Sequence, residues 1–277
     1  MSRIPDMSWP CPAALARATL DGLRRPLAAL YRHRLLLALL LRREIVGKTS
    51  GTLFRAGWLL IAPGLQVIAF WFLLDVVLQV RFPGRVPFLD YFLIGILAWF
   101  LMLEVLQRAL GIFAEQAALY QRGAFPLELL PLLPLVMAML IQGTLYLVVC
   151  TLLLGPAALP ATLAVLMGLF LLLIPLTYLL ALLGHFLRDL RQLLPFVLTM
   201  GLYVTPILYA PGMLPDAFQQ LLFLNPFADI MALIHGLLQG LPVTWGNALR
   251  PLTLWMLVLG PAWVLFRRAE PHLREAL

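Results

Sequence analysis

The chain has 277 residues, of which 62% are hydrophobic and only 12% charged, with a net charge of +7 and a mean hydropathy of +0.95. Soluble domains carry about 45–50% apolar and about 25% charged residues, so this composition exceeds what one globular core can bury and excludes a soluble domain. The positive charge does not point to nucleic acid either, because the basic residues are mostly Arg flanking apolar runs, the pattern that sets membrane topology.

Residues 1–56 read as a cytoplasmic tail. The run Leu35–Leu41 is only seven residues long and is hemmed by Arg32, Arg34, Arg42 and Arg43. It is too short to span, and no cleavable leader is expected, because the run starts late and no small-residue cleavage site follows it. Residues 23–50 are expected to form an amphipathic helix in the cytoplasmic interface, with Arg side chains reaching lipid phosphates.

A membrane helix needs about 20 apolar residues to cross a hydrocarbon core of about 30 Å. Residues 57–267 supply six candidates: 58–78, 91–111, 132–154, 162–184, 192–210 and 248–266. The fold class is thus an all-α polytopic membrane protein with a short cytoplasmic tail at 268–277. Of the 20 Lys and Arg residues, all but Arg81, Arg85 and Arg250 fall at or beyond one set of span ends. The positive-inside rule then places both termini in the cytoplasm. Between the fifth and sixth candidates, 217–224 and 228–239 are apolar but too short to span. They are expected to be re-entrant half-helices.

Few residues invite chemistry. Gly47-Lys48-Thr49 resembles the end of a phosphate-binding loop, but Arg42 stands where that motif needs its first Gly, and no strand precedes it. His33, His185, His235 and His272 are scattered without metal-ligand spacing, and Cys11 and Cys150 form no framework. No ATPase site, metal or cofactor is expected in this chain. Ionisable residues at membrane depth are costly and usually face the bundle interior. Glu104 and Arg108, at i and i+4, share one helix face and can pair. With Trp99, Tyr146, Tyr178, Tyr203 and Tyr209 they are the candidates for lining a substrate path. Aromatic faces and hydroxyls suit sugar rings, although packing between helices is the commoner explanation of such residues. The loop 117–131 is expected to present Tyr120, Arg122 and Phe125 at the cytoplasmic surface, on a short helix over 114–121 and a turn at Gly123.

Several short motifs occur in a fixed order. They are Arg43-Glu44 with Gly47-Lys48; Trp58 with Pro63; Gly95 with Trp99; and Phe125-Pro126-Leu127-Glu128-Leu129-Leu130-Pro131. Arg188-Asp189, Pro206-Ile207-Leu208-Tyr209 and Leu224-Asn225-Pro226 follow. Over about residues 40 to 265 this order resembles the membrane subunit of ABC-2 type exporters of capsular polysaccharide, O-antigen or teichoic acid. The chain departs from that pattern at Arg55, where the family usually has Gly, and in having only Arg122 as a basic residue just before Phe125.

The resemblance implies two copies forming a channel above two copies of a separate ATPase subunit, which binds ATP and Mg. It implies a coupling loop containing Tyr120, Arg122, Phe125, Pro126 and Glu128. It also implies a cytoplasmic gate near Arg42, Arg43, Lys48, Arg188 and Asp189, half-helices closing the outer mouth, and a lipid-linked polysaccharide as cargo. The expected location is the bacterial inner membrane. The rival readings are an exporter of a small lipid or drug, and a membrane ligase or polymerase of lipid-linked sugars.

Overall fold

The computed structural model describes residues 12–51, 57–79, 86–120, 125–215, 219, 222 and 224–275, and among them every regular element is helical. The order is α1 (Pro12–Arg32), α2 (Arg34–Thr49), α3 (Trp58–Val77), α4 (Phe88–Glu115), α5 (Ala117–Tyr120), α6 (Leu127–Leu154), α7 (Pro156–Phe186), α8 (Leu190–Val204), α9 (Pro226–Gln239) and α10 (Trp245–Glu275).

Five of these, α3, α4, α6, α7 and α10, are long and apolar enough to cross a membrane. Of the six crossings expected from sequence, five correspond to these long helices, and the remaining candidate, 192–210, corresponds to a shorter one. In place of 192–210, α8 stops at Val204 after 15 residues, about 22 Å at 1.5 Å per residue. Its end is set by Thr205, whose backbone is extended, as is usual for a residue before proline. The single interface helix expected over 23–50 is two helices broken at His33, and α1 packs along α10. Of the two expected half-helices, 228–239 is present as α9, whereas 217–224 lies largely outside the described residues.

The helix boundaries follow local chemistry. Gly155 takes a positive φ of 82° and ends α6, and Pro156 opens α7 one residue later; glycine after a helix and proline at its first turn fit both ends. At α9, Asn225 accepts a hydrogen bond from the Phe227 N–H at 3.0 Å and Pro226 occupies the first turn. Gly240, at φ 67°, closes the helix.

The core sits around α4, whose residues from Phe88 to Phe113 are buried on almost every side. Its main partner is α7. Their crossing is close because Gly184 has no side chain: a Cβ there would penetrate the backbone carbonyl of Leu110. Small residues at such crossings let helix backbones approach and gain dispersion contacts where lipid offers no hydrophobic drive. At the opposite extreme, α3 buries only Val67 and Leu74 and presents Leu60, Leu65, Ile68, Phe72, Val76 and Val77 outward. Two helices carry wider π-type turns, Phe72–Val77 in α3 and Met139–Gly143 in α6, a distortion frequent at functional sites.

Candidate functional sites at the two ends of the bundle

One end of the bundle carries a charged cluster between α2 and α4. The pair expected from spacing is present: Arg108 Nε lies 3.8 Å from Glu104 Oε1. A shorter ion pair, between Arg108 and Glu44, joins the two helices. Lys48 adds contacts to Glu44 at 3.6 Å and Glu104 at 3.9 Å. Arg43 donates to the Gln116 side chain at 2.5 Å, whereas Arg42 is exposed. Two acids and two bases balance, so the cluster is neutral as a whole. Its inner pair is largely out of water, with the Glu44 and Arg108 side chains 10% and 14% exposed. Removing one partner of such a pair leaves an uncompensated charge.

Beside the cluster is a small cavity of about 190 Å³, lined by Lys48, Glu104, Gln142, Trp58 and Pro63. The Gln142 Oε1 atom is buried without a hydrogen-bond partner among the described residues. Gln142 belongs to the π-type turn of α6 and lines the same cavity as Lys48 and Glu104.

The segment after α4 packs more tightly than its sequence suggests. Leu127, Leu129 and Leu130 are fully buried, and Phe125 is half-buried against the core rather than projecting from it. Pro126 precedes a 3-10 turn over Leu127–Leu129. The expected helix over 114–121 is divided, since α4 runs to Glu115 and α5 begins at Ala117. Arg122, Gly123 and the Tyr120 side chain lie outside the described residues. The Tyr178 hydroxyl donates to the Glu128 carbonyl oxygen at 2.5 Å, and the ring meets Trp263 and Phe266 edge-on. At the α7–α8 corner, Arg188 and Asp189 are exposed. The residue that ties the corner is Arg191, whose Nε and Nη2 donate to the Gly184 carbonyl at 3.0 and 2.8 Å.

Among the other aromatics singled out from sequence, Trp99 and Tyr146 are buried within the chain. Trp99 meets Phe227 of α9 edge-on at 5.4 Å and lies against Gly201 of α8. Tyr203 is exposed, and Tyr209 donates to the Val204 carbonyl at 2.9 Å. Trp99, Tyr146 and Tyr178 are thus held in one chain's core, and Tyr203 faces outward.

The opposite end of the bundle holds a polar assembly that spacing did not disclose. His235 of α9 stacks on Tyr91 of α4, with ring centroids 3.8 Å apart and planes within 8°. Gly95 admits this stack, because a Cβ there would lie 3.3 Å from both His235 Nε2 and Ile207 Cγ2. The Tyr91 hydroxyl donates to the Pro206 carbonyl at 2.8 Å. His235 Nδ1 is 2.9 Å from Gln239 Oε1. Burial pushes the His235 pKa down to about 4, against a smaller upward effect of the Gln239 hydrogen bond. The ring is therefore neutral at pH 7. Asp229 receives Arg250 at 2.6 Å and Asn247 at 2.7 Å, which ties α9 to the start of α10. The only sequence signals for this assembly were Asn225-Pro226 as a helix start and Pro206 as a break.

No family model matches the chain. Proteins that it does match include the O-antigen export system permease protein RfbA of Myxococcus xanthus, 28% identical over 211 residues, covering 73% of this chain and 79% of that protein. The protein of the same name from Klebsiella pneumoniae is 24% identical over 208 residues, 71% of this chain and 77% of its own length. Over most of its length the chain is thus similar to O-antigen export permeases. Several of the motifs that carried this resemblance in the sequence are anchoring points in the structure. Glu128 accepts from Tyr178, Pro206 accepts from Tyr91, and Asn225 caps α9. Trp58 and Pro63 line the cavity beside Glu104.

Proposed function

We propose that this chain is the channel-forming subunit of an ATP-driven exporter that moves a lipid-linked polysaccharide out of the bacterial cytoplasm across the inner membrane. The observation that carries the reading is the similarity to O-antigen export permeases over about three quarters of both chains. In this reading α8 makes the sixth crossing with the help of residues 205–210, so both termini are cytoplasmic. The charged cluster of α2 and α4 lies near the cytoplasmic face, and α9 near the outer one.

Two copies pair, which gives the bare apolar flank of α3 a protein partner. Two copies of a separate ABC ATPase subunit supply ATP and Mg binding. The stretch from Ala117 to Pro131 is the coupling segment seated in that ATPase, and the Tyr178–Glu128 hydrogen bond transmits its movement to α7. A polymer longer than the membrane is thick cannot be enclosed in one pocket. It needs a conduit that grips weakly at many points, and the wall of such a conduit forms between copies.

The test is reconstitution. The purified chain alone should hydrolyse no ATP, and hydrolysis and glycan export should both appear when its ATPase partner is added. Measurable hydrolysis by this chain by itself would overturn the assignment. So would glycan transfer without ATP, which marks a ligase or polymerase.

A further inference from the structure

The α9 end of the bundle holds a half-open cavity of about 890 Å³, lined by the start of α4, Pro206 and Ala210–Gly212, α9, the 240–242 turn and the start of α10. Water alone does not account for it, since one water occupies about 30 Å³ in the liquid. Ligand pockets commonly run to about 300–1,000 Å³.

Its chemistry is specific. Asp229 and Arg250 are the charged residues among its lining residues, and they neutralise each other at 2.6 Å. With His235 neutral, the described lining carries no net charge, and its one cation and one anion are paired with each other. Three polar groups are left over, one of them the His235 Nε2 atom, buried without a partner among the described residues. Asp229, 2% exposed, uses Oδ1 for both Arg250 and Asn247, so Oδ2 is a buried acceptor without a partner among the described residues. Gln239 gives Oε1 to His235, and its Nε2 is a buried donor, likewise without a partner among the described residues. Leaving such groups unsatisfied costs about 1–3 kcal/mol each. The rest of the lining alternates these polar groups with apolar ones from Ala228, Ala232, Leu222 and Pro211. A lipid tail fits this poorly. The crevice suited to one is the wholly apolar groove between Gly64, Leu93 and Val149 on α3, α4 and α6.

A ligand with apolar faces, a rim of hydroxyls that both donate and accept, and no charge satisfies every one of these features. We infer that this cavity is a binding site for an uncharged hexose unit of a glycan, held by the Asp229–Arg250 pair, Asn247 and Gln239 against the Tyr91–His235 wall. The inference rests on the polysaccharide-export reading and adds to it a defined sugar site at the end of the bundle remote from Arg108.

The test is saturation-transfer NMR on the full chain in lipid nanodiscs. The probes are methyl α-mannoside, methyl β-galactoside and N-acetylglucosamine, with glucuronate as the charged control. Transfer to a neutral sugar is expected, with no transfer to glucuronate and at least a tenfold loss of signal in Asp229→Asn. Asp229 also ties α9 to α10, so Gln239→Ala serves as the second variant; its loss of signal should come with an unchanged elution profile. Absence of transfer to all three neutral sugars, a stronger signal from glucuronate, or full signal in a folded Gln239→Ala variant would each overturn the site. Export by the wild-type chain with its ATPase is measured in parallel. Export without sugar binding removes the site and leaves the permease reading standing, whereas sugar binding without export removes that reading.

Discussion

The hydroxyl of Tyr178, in the middle of α7, donates to the backbone carbonyl of Glu128, fifty residues earlier in the chain, at 2.5 Å. This one bond fastens the 3-10 turn that opens α6 to the helix that packs on α4. Tyr178→Phe keeps the ring and its edge contacts with Trp263 and Phe266 but leaves that carbonyl unsatisfied. The expected cost is about 1–3 kcal/mol, read as a lower unfolding midpoint in detergent with insertion unchanged. In the reconstituted complex, ATP hydrolysis should persist while the export achieved per ATP falls.

The α4–α7 crossing should tolerate no side chain at Gly184. A Cβ there collides with backbone atoms of Leu110, which cannot rotate away, so Gly184→Ala should cost about 1–3 kcal/mol, as overpacking does. Gly168, in the same helix, has open space around a built Cβ, and Gly168→Ala should be neutral or slightly stabilising. Unfolding midpoints of the two variants measured together separate a crossing effect from a general glycine effect.

Glu44 and Arg108 should show strong non-additivity. Arg108→Ala leaves the largely buried Glu44 carboxylate with Lys48 alone, at 3.6 Å, and should cost at most about 3–5 kcal/mol. Adding Glu44→Ala should restore part of that loss, giving a coupling energy of about 0.5–3 kcal/mol in a double-mutant cycle. Additive single losses would mean that the two side chains do not hold α2 to α4.

His235 should make stability depend on pH in one window. Burial holds its folded pKa at about 4, below the value of about 6.5 for an unfolded chain. Above pH 6.5 both states are neutral and the favourable burial is fully present. As pH falls from 6.5 towards 4, the unfolded chain takes up a proton that the folded one refuses, so stability declines; below 4 the decline levels off. Unfolding midpoints between pH 7 and 4 should show this slope in the wild type and lose part of it in His235→Gln.

The long apolar helices were legible because lipid imposes a length that a run of letters displays directly. The end of α6 at Leu154 agrees with the third candidate, whereas the fourth was expected only from 162 and α7 starts earlier, because Gly155-Pro156 stops one helix and opens the next at once. The shortness of α8 was harder to see. Residues 205–210 are as apolar as the helix before them, and only the extended backbone at Thr205 and the proline after it halt the helix. Similarly, Glu104 and Arg108 announce each other by a spacing of four, whereas Glu44 lies 64 residues from Arg108 and only folding unites them.

The α9 site was the least visible. Its histidine looks solitary in sequence, and its partners come from α4, from α9 itself and from α10. The acceptors of Tyr91, Tyr178 and Arg191 are backbone carbonyls, which no residue type signals. The wider turn at Met139–Gly143 is likewise silent in composition, because its residues are ordinary ones for a membrane helix.

The contact of Gly184 with Leu110 also has a mechanical meaning. Two helices touching backbone to backbone act as a bearing: they can rock slightly about the point of contact but cannot slide past it, because neighbouring side chains close in on both sides. In the export reading, movement passed from Glu128 to Tyr178 therefore turns α4 and α7 together as one body, and the sparsely buried α3 is the part left to shift against it.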